Sequence, residues 1–400
     1  MMSFIRSRML SFSNGYFVFS YRHFNTTPTE TTETIEIKTS DQHKIRQINE
    51  TKTILVWNAA ERAEVRIFGK GKDVFANQNC TYTRCEIVDN RMERPLEHYD
   101  AIVVVFNSEF TSANQVKMPR FQYERKKSQR LVFFTQEPPI ALLPHYNMGQ
   151  LTHFFNWTMT YRMDADIRLL YGRIIPKEKA PRTLEEVKQL REKAHDSMVK
   201  PRHNKTKTIA WMVTHCDTHG QREAYIEELV KYIDVDVYGP CGTLSCPRHS
   251  IYISVPSCYD LLESTYKFYL SFEKTICPDY VTENFFKTLR RNIVPIVYGG
   301  ADYTQHAPPH SYIDARKFKP KELAGFLKIL DENDDLYNEY FWWKDYYSVE
   351  STLEERSRHA FCDLCQKLHE AKDGDYQSYP DMDSQWGNGN QCQTFYPTWL

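Results

Sequence analysis

The stretch KFYLSFEKTICPDYVTENFFKTLRRNIVPIVYGG, residues 267–300, decides the fold class of this 400-residue chain. Residues 268–272 and 293–298 are short, mostly apolar runs of the kind that form strands. Residues Asp279 to Arg291 between them have the pattern of an amphipathic helix, with Asp279 as the predicted N-cap. A strand, a helix and a second strand at this spacing predict a βαβ unit in a parallel sheet.

Charged side chains follow the first of these strands at its carboxyl end. Glu273 and Lys274 come directly after it, and the predicted helix places Tyr280, Glu283 and Lys287 on one face. Ligands of open α/β sheets bind beyond the carboxyl ends of the strands, and a helix N-terminus there favours a phosphate. The pattern fits a nucleotide with its pyrophosphate near Lys274 and its ribose near Glu283. An amphipathic helix with a merely solvated polar face is the alternative.

Similar units extend over most of the chain. A second α/β domain is predicted over residues 208–345, with further strands at 208–213 and 235–238 and a helix near 222–233. A first α/β domain is predicted over residues 51–175, with strands at 53–57, 85–88, 101–106 and 131–134. Two such domains predict a two-lobed enzyme with a ligand-binding cleft between the lobes.

The flanking segments differ in composition. Residues 176–207 predict a charged linker whose helix opens with a capping box of Thr183 and Glu186. Residues 25–50 are rich in Thr, Glu and Lys and predict a flexible stem. Arg6 and Arg8 precede an apolar-leaning stretch, so residues 1–24 are a possible weak type II signal-anchor. A poorly apolar leader or an incomplete anchor is the alternative, because polar residues interrupt the stretch.

Charge and cysteine content limit the partners and the compartment. Lys+Arg number 51 and Asp+Glu number 52, so no overall charge attracts nucleic acid. The chain has ten cysteines, an even number that permits full pairing. Five positions match the Asn-x-Ser/Thr glycosylation pattern: Asn25, Asn49, Asn79, Asn156 and Asn204. Together, the cysteines and these patterns favour an oxidising secretory compartment over the cytosol.

Several motifs resemble those of the α1,3-fucosyltransferases, glycosyltransferase family 10. Phe268–Glu273 and Asp279–Glu283 are similar to the family patterns F-Y-L-x-F-E-N and D-Y-V/I-T-E-K. Other similar motifs follow in the family's order: Cys85–Arg91, Phe133–Pro139, Phe155–Tyr161, Tyr171-Gly172, Trp211–Cys216, Arg222-Glu223, Tyr238-Gly239, Val294–Val297 and Pro308–Ile313. The resemblance covers most of the chain, and the cysteine pattern is similar to that of invertebrate members.

The resemblance implies a GT-B fold, in which two Rossmann-like domains face each other across a cleft. It also implies inverting transfer of L-fucose from GDP-fucose to the 3-hydroxyl of GlcNAc in glycoprotein glycans, on an N-glycan core or antenna. The donor would bind mainly the second domain and the acceptor mainly the first. The implied location is the Golgi lumen, with the N-terminal segment as the membrane anchor. A catalytically silent member that binds glycan or GDP-fucose is the alternative.

The matched positions imply roles for individual residues. Glu137 stands where the family has its proposed base, which would deprotonate the acceptor hydroxyl. Arg222 matches the arginine that contacts the diphosphate, and Tyr280 and Glu283 match nucleotide-contacting positions. Glu273 matches the glutamate of the F-E-N motif, also on the donor side.

The resemblance further implies disulfides that tie the C-terminal tail, residues 346–400, to the first domain. They would join Cys362 and Cys365 to Cys80 and Cys85, although these four thiolates could by number form a zinc site instead. The other six cysteines are expected to pair in an unspecified pattern: Cys216, Cys241, Cys246, Cys258, Cys277 and Cys392. Asp-x-Asp patterns at 164–166, 234–236 and 381–383 are expected to be solvated or hydrogen-bonded carboxylates. No metal is therefore expected to be required, although Mn²⁺ could stimulate without a dedicated site.

Two donor-side positions depart from the family pattern. Lys274 stands where the family has Asn, and Asn284 stands where it has Lys. This exchange is what supports the catalytically silent alternative. A lysine carries its charge on a flexible stem, however, so Lys274 is expected to replace the family lysine beside the diphosphate.

A mutant cycle tests this replacement. Lys274→Asn is expected to cost about 2–4 kcal/mol of transition-state stabilisation, because the leaving diphosphate loses a cation. Adding Asn284→Lys should recover much of the loss if both positions serve one phosphate. Steady-state kinetics of the four proteins measure the coupling. Additive effects, or an active Lys274→Asn variant, would assign the leaving group to another cation, such as Arg222 or Lys287.

Overall fold

The computed structural model describes most of the chain from residue 50 onward. The described ranges are 11–13, 16–18, 50–58, 63–107, 118–122, 124–193, 205–246, 258–372, 375, 377–387 and 392–393. Ser11–Ser13 (β1) and Tyr16–Val18 (β2) pair as antiparallel strands. The rest of the predicted signal-anchor and almost all of the predicted stem lie outside the described residues. Within the described ranges, no helix has both the length and the apolar character needed to cross a membrane.

Six parallel strands form the sheet of the first domain. They are Lys52–Val56 (β3), Cys85–Val88 (β4), Ala101–Val105 (β5), Arg130–Thr135 (β6), Trp157–Thr160 (β7) and Ile167–Arg168 (β8), in the spatial order β4-β3-β5-β6-β7-β8. Every residue of β5 and β6 is buried, as expected of strands that are covered on both faces. The helices of this domain are Ala63–Phe68 (α1), Val74–Asn77 (α2) and Pro139–Leu142 (α3).

A short strand and a helix lead out of the first domain. The strand is Arg173–Pro176 (β9), and the helix is Leu184–Glu192 (α4). Thr183 and Glu186 form the predicted capping box, with each side chain accepting from the other residue's backbone N–H. Arg191 near the end of α4 pairs with Glu339 at 3.0 Å, so this helix is held against the end of the second domain.

The second domain contains five parallel strands. They are Lys207–Met212 (β10), Val235–Tyr238 (β11), Tyr266–Phe272 (β12), Val294–Tyr298 (β13) and Ile313–Asp314 (β14), in the spatial order β11-β10-β12-β13-β14. Its α-helices are Arg222–Leu229 (α5), Cys258–Thr265 (α6), Glu283–Leu289 (α7), Pro320–Glu332 (α8) and Asp334–Asn338 (α9). The predicted α/β fold of the GT-B type, two Rossmann-like domains facing each other, is confirmed.

The C-terminal segment returns to the first domain. Tyr347–Glu350 (β15) pairs antiparallel with β9, and the long helix Leu353–Glu370 (α10) follows it. Phe361, Leu364 and Leu368 of α10 join the apolar core beneath the first sheet. Short 3-10 helices occupy Leu96–His98, Met148–Leu151, Tyr303–Gln305, Ala315–Lys317 and Glu339–Asp345, and a π-helical turn occupies Asp383–Gly387.

Five disulfides join all ten cysteines. Cys80 is bonded to Cys362 and Cys85 to Cys365, so α10 is attached covalently to the first sheet, as the family resemblance implied. These sulfurs are bonded in pairs, which is incompatible with the alternative of four zinc-binding thiolates. The remaining bonds are Cys216–Cys241, Cys246–Cys258 and Cys277–Cys392.

The glycosylation pattern at Asn156 is contradicted by the fold. The Asn156 side chain is buried, and its Oδ1 accepts from the Leu131 backbone N–H at 2.9 Å. Its Nδ2 donates to the Gln377 carbonyl at 2.7 Å, so a glycan here is incompatible with the folded chain. Asn79 is exposed and stays a predicted site. Asn25, Asn49 and Asn204 lie outside the described residues.

Removing the outer disulfide is expected to destabilise the first domain. The double variant Cys80→Ser/Cys362→Ser should lose about 2–4 kcal/mol of unfolding free energy. The Cys85–Cys365 bond still closes the long loop in this variant, so the loss comes from the smaller ring that residues 80–85 and 362–365 form when both bonds are present. Urea denaturation measures the loss, and non-reducing peptide mapping of the wild type should recover both links to α10. Four free thiols with stoichiometric zinc would contradict the assignment.

Candidate functional site

The order of the strands determines where the site lies. In the first sheet, β4 lies on one side of β3 and β5 lies on the other side. In the second sheet, β11 and β12 flank β10 in the same way. The strand order therefore reverses between β3 and β5 and between β10 and β12, and each of these positions is a topological switch point. Ligands of such sheets bind outside the carboxyl ends at this point. The carboxyl ends of the two sheets meet, and residues that follow β6 and β12 are in contact there.

Glu137 lies at the carboxyl end of β6. Its backbone N–H donates to Thr135 Oγ1 at 3.0 Å, and Pro138 in extended conformation follows before α3 begins. These features fix the direction of the chain at Glu137. The side chain is only 20% exposed, and its Oε2 lies 3.5 Å from the Lys274 ammonium of the other domain. The predicted base and the predicted donor-side cation therefore face each other directly.

Lys274 belongs to a loop that is attached to its neighbours. Its carbonyl accepts from the Gly220 N–H at 2.9 Å, which connects the loop after β12 to the loop after β10. A Cβ on Gly220 would lie 3.2 Å from that carbonyl oxygen, closer than most real Cβ contacts. Tyr298 at the end of β13 donates its hydroxyl to the Gly220 carbonyl at 3.3 Å. Three adjacent strand ends thus hold Lys274 at the cleft.

Arg222 is buried beside these loops at the start of α5. Its guanidinium donates to the carbonyls of Phe272 and His215, the latter at 3.3 Å, and it lies over the Trp211 ring. Its Nε–H donates to the Glu223 carboxylate at 3.3 Å. Arg222 thus holds the ends of β10 and β12 together, and its ion pair with Glu223 lies behind the loop that carries Lys274.

Glu273 is turned away from the open cleft. Its Oε1 accepts from the Thr282 N–H at 2.8 Å and from the Thr282 hydroxyl at 3.1 Å, so it holds the N-cap residue of α7. The residue is 3% exposed, and this burial raises the pKa of Glu273 to about 8 despite the two hydrogen bonds. Its role in this structure is to position the start of α7.

The predicted start of the helix at Asp279 is wrong. The helix begins at Glu283 with Thr282 as its N-cap, and Asp279 has a left-handed backbone conformation, with φ of 58°. The Asp279 carboxylate instead accepts from the Met163 N–H of the first domain at 3.1 Å. A contact between domains therefore uses the residue that local sequence assigned to a cap.

Tyr280 fills the junction between the domains. It is 2% exposed, and its ring makes edge contacts with Tyr161 and Tyr171 at centroid distances of 5.1 and 6.1 Å. Burial raises the pKa of all three hydroxyls, and the nearby Glu137 carboxylate adds to the effect. Tyr280, predicted to contact the nucleotide, thus forms part of the wall below Glu137.

Glu283, Asn284 and Lys287 lie on α7, and among the described residues their partners differ from those of Lys274. Glu283 pairs with Lys287 one turn later, at 3.9 Å. Asn284 Oδ1 accepts from the Tyr259 hydroxyl of α6 at 2.9 Å. The expectation that Lys274 and position 284 reach one phosphate stays a prediction.

Sequence reasoning missed two features that shape the site. Cys216 follows β10 and Cys241 follows β11, so their disulfide joins two loops beside the switch point. Gly172 packs so closely on the Phe286 ring that a Cβ would lie 2.3 Å from it, which lets β9 approach α7. The family motifs contain Gly172 and the cysteines, but their partners depend on the fold.

Comparisons with known proteins agree with this geometry. Residues 202–386 match the family model described as "Glycosyltransferase family 10 (fucosyltransferase) C-term", and residues 49–172 match "Fucosyltransferase, N-terminal". The chain belongs to glycosyltransferase family 10, the fucosyltransferases. The two matched regions divide the chain at the α4 linker between the sheets.

Similar fucosyltransferases are known from insects and from solved structures. "Alpha-(1,3)-fucosyltransferase C" of Drosophila melanogaster is 36% identical over 88% of this chain and 81% of its own length. "Glycoprotein 3-alpha-L-fucosyltransferase A" of the same species is 33% identical over 88% of this chain and 63% of its own length. A "Crystal Structure of alpha1,3-Fucosyltransferase with GDP-fucose" has a TM-score of 0.48 and 15% identity over 88% of this chain and 96% of the other.

Carboxylates of all three Asp-x-Asp patterns in this fucosyltransferase have protein partners. Asp164 pairs with Arg162 at 2.6 Å, and Asp166 accepts from the Tyr379 hydroxyl at 2.7 Å. Asp236 accepts from Lys207 and Tyr266, and Asp381 accepts from the backbone N–H groups of residues 383 and 384.

The pH dependence of stability tests the environment of Glu273. The folded chain keeps the carboxyl proton up to about pH 8, while the unfolded chain releases it near 4.5, so the unfolding free energy falls as pH rises through this window. Glu273→Gln has no such proton, and its stability relative to wild type should rise by on the order of 2 kcal/mol from pH 5 to 7.

Urea denaturation of both proteins across that pH range measures the difference. Glu332→Gln, at an exposed position of α8, is the matched control and should show no comparable trend. A constant difference between Glu273→Gln and wild type would mean that Glu273 is already ionised in the folded protein.

Proposed function

We propose that this fucosyltransferase transfers L-fucose from GDP-fucose to the 3-hydroxyl of a GlcNAc in glycoprotein glycans, on an N-glycan core or antenna. The observation that carries the proposal is the 3.5 Å contact between Glu137 and Lys274. It places a carboxylate from the first domain and a cation from the second at one point of the cleft. Transfer from a nucleotide sugar needs these two groups on opposite sides of the reacting carbon. The names of the relatives support fucose as the transferred sugar and the α1,3 linkage.

The proposed reaction is a single displacement with inversion. The acceptor oxygen attacks C1 of fucose while Glu137 takes the proton of its hydroxyl group. A new C1–O bond forms as the bond from C1 to the phosphate oxygen breaks, and the electron pair leaves with GDP. The products are the fucosylated glycan, GDP and a proton held by Glu137, so every atom is accounted for.

The second domain supplies groups suited to the leaving diphosphate. Negative charge accumulates on that diphosphate as the bond breaks, so a cation beside it stabilises the transition state more than the ground state. Lys274 is 33% exposed at the cleft, and Arg222 lies buried behind it. The exposed loop after β10, residues 214–219, provides backbone N–H groups at the same sheet edge.

The aromatic junction suits the need to keep water from GDP-fucose. Tyr280, Tyr161 and Tyr171 are packed ring to ring below Glu137. A water molecule that reached C1 would hydrolyse the donor, so closely packed aromatic rings at this point favour transfer to the glycan. We include no resident metal in the proposal, since Lys274 and Arg222 supply the positive charge.

The oxidised cysteines support action in the secretory pathway. Five disulfides require an oxidising compartment during folding, and glycoprotein glycans are modified in the same pathway. The Golgi lumen, with attachment to the membrane through the N-terminal segment, is therefore the location proposed for this enzyme.

Glu137→Gln tests the proposed base. The amide keeps the shape of the side chain but cannot take the proton, so turnover should fall by about 10²–10⁴-fold. Mass spectrometry of a GlcNAc-containing glycan panel incubated with GDP-fucose measures the product, and calorimetry with GDP shows that the donor side is intact. Near wild-type turnover of Glu137→Gln would exclude Glu137 as the base. A wild-type protein that binds GDP but fucosylates no glycan of the panel would favour the binding module.

A further inference from the structure

The Glu137–Lys274 ion pair joins the two groups that the reaction uses separately. Transfer requires Lys274 at the diphosphate and Glu137 at the acceptor hydroxyl, on opposite sides of the fucose. In the structure they are 3.5 Å apart, with side chains 33% and 20% exposed. At this exposure their attraction is screened less than that of a surface pair.

The ion pair with Lys274 stabilises the negative charge of the Glu137 carboxylate. Glu137 Oε2 is buried and has no hydrogen-bond donor among the described residues. Within the same part of the chain, Lys274 is the cation that forms an ion pair with it. A buried carboxylate oxygen without a partner is costly, so the ammonium stabilises Glu137 as long as the pair is intact.

One ammonium cannot form a close ion pair with Glu137 and with a diphosphate at the same time. Arg222 cannot substitute for it at Glu137, because its guanidinium is held by the Phe272 and His215 carbonyls. A lysine has a flexible four-carbon stem and three donors, so it can move between two nearby anions without a change of the backbone. The Lys274 backbone is in fact held in place by Gly220.

We infer that Lys274 is a donor-responsive positioning residue that alternates between two anions. When paired with Glu137, as in the structure, it withholds that carboxylate from an acceptor hydroxyl. When the GDP diphosphate occupies the second domain, the ammonium moves to the phosphate and releases Glu137 for the acceptor. The inference rests on the proposed function, and it gives that reaction an order in which the donor binds first. It also gives a physical reason for a lysine at position 274.

Competition between Glu137 and the diphosphate for Lys274 can be tested through GDP affinity alone, without a glycan acceptor. GDP must break the ion pair when it binds, so removing the Glu137 charge should tighten GDP binding. Simple repulsion between Glu137 and the diphosphate predicts the same sign, but that repulsion does not depend on Lys274. The two explanations therefore differ when Lys274 is absent.

Titration calorimetry with GDP on four proteins separates these explanations. The proteins are the wild type, Glu137→Gln, Lys274→Met and the double variant. Glu137→Gln is expected to bind GDP about 5-fold more tightly, and Lys274→Met on the order of tenfold more weakly. The double variant should bind GDP as weakly as Lys274→Met alone, because Glu137 has no ammonium left to compete for.

Two charge-removing variants serve as controls. Asp164→Asn removes a carboxylate at the same edge of the first sheet, where it pairs with Arg162. Lys231→Met removes an exposed ammonium that pairs with Glu228 on α5. Both should leave GDP affinity within about twofold of wild type, as expected of surface pairs. Lys274→Gln replaces Lys274→Met in the cycle if the methionine variant does not fold.

The outcomes decide the inference without reference to turnover. Unchanged or weaker GDP binding by Glu137→Gln would overturn it. Tightening that persists in the Lys274→Met background would also overturn it, in favour of plain repulsion. The expected cycle in a protein that fucosylates no glycan would keep the ion-pair competition and reject the proposed transfer, so the two failures are distinguishable.

Discussion

The packing of Tyr280 between Tyr161 and Tyr171 is the contact on which the site depends. It brings the carboxyl ends of two separate parallel sheets together, and each sheet alone has only half of the chemistry. The Asp279 carboxylate on the Met163 N–H supports the same junction with a polar contact. With these contacts in place, the loop after β12 lies opposite the loop after β6, and Lys274 meets Glu137. The distance between base and cation is thus set by aromatic packing below them.

The return of α10 to the first sheet explains how the two domains keep their relative position at this junction. The chain crosses from the first domain to the second through α4 and crosses back before β15, which pairs with β9. Phe361 and Leu364 bury apolar surface against the first core, and two disulfides hold the helix there. Pairing, packing and covalent bonds all fix the same element, so the C-terminal segment is part of the first domain although the second domain precedes it in sequence.

The sequence predicted the first four strands of each sheet in chain order, because their signal is local, but it did not predict β7, β8 or β14. The apolar runs at 101–106 and 131–134 correspond to β5 and β6 within a residue or two at each end. The helix after β12 was predicted four residues too early, since Asp279 is attracted to a backbone N–H of the other domain. Asn156 matched a glycosylation pattern but is buried beside β6 for a reason that no local pattern contains.

Individual site residues were harder to predict than the site itself. Family motifs assigned Glu273, Arg222 and Tyr280 to the donor side, and all three lie near the switch point of the second sheet. Their side chains, however, hold α7, the ends of β10 and β12, and the domain junction, respectively. The direction of a side chain depends on neighbours that are far away in sequence. A motif therefore predicts the region in which a residue lies, but it does not predict which group the side chain contacts. The same holds for the partnership of Lys274 with Glu137.

The Cys277–Cys392 disulfide gives the cleft a property that neither sheet has alone. Cys277 precedes Tyr280 in the second domain, and Cys392 follows a segment in which Trp386 packs on Phe133 and Tyr161 of the first. With the α4 linker, this bond closes a covalent ring through both domains. The two half-sites therefore stay at a high effective concentration even when their contacts open, and the entropy of bringing them together is lost once, during folding. After each release of product, the two half-sites can therefore come together again without a further loss of the entropy of association.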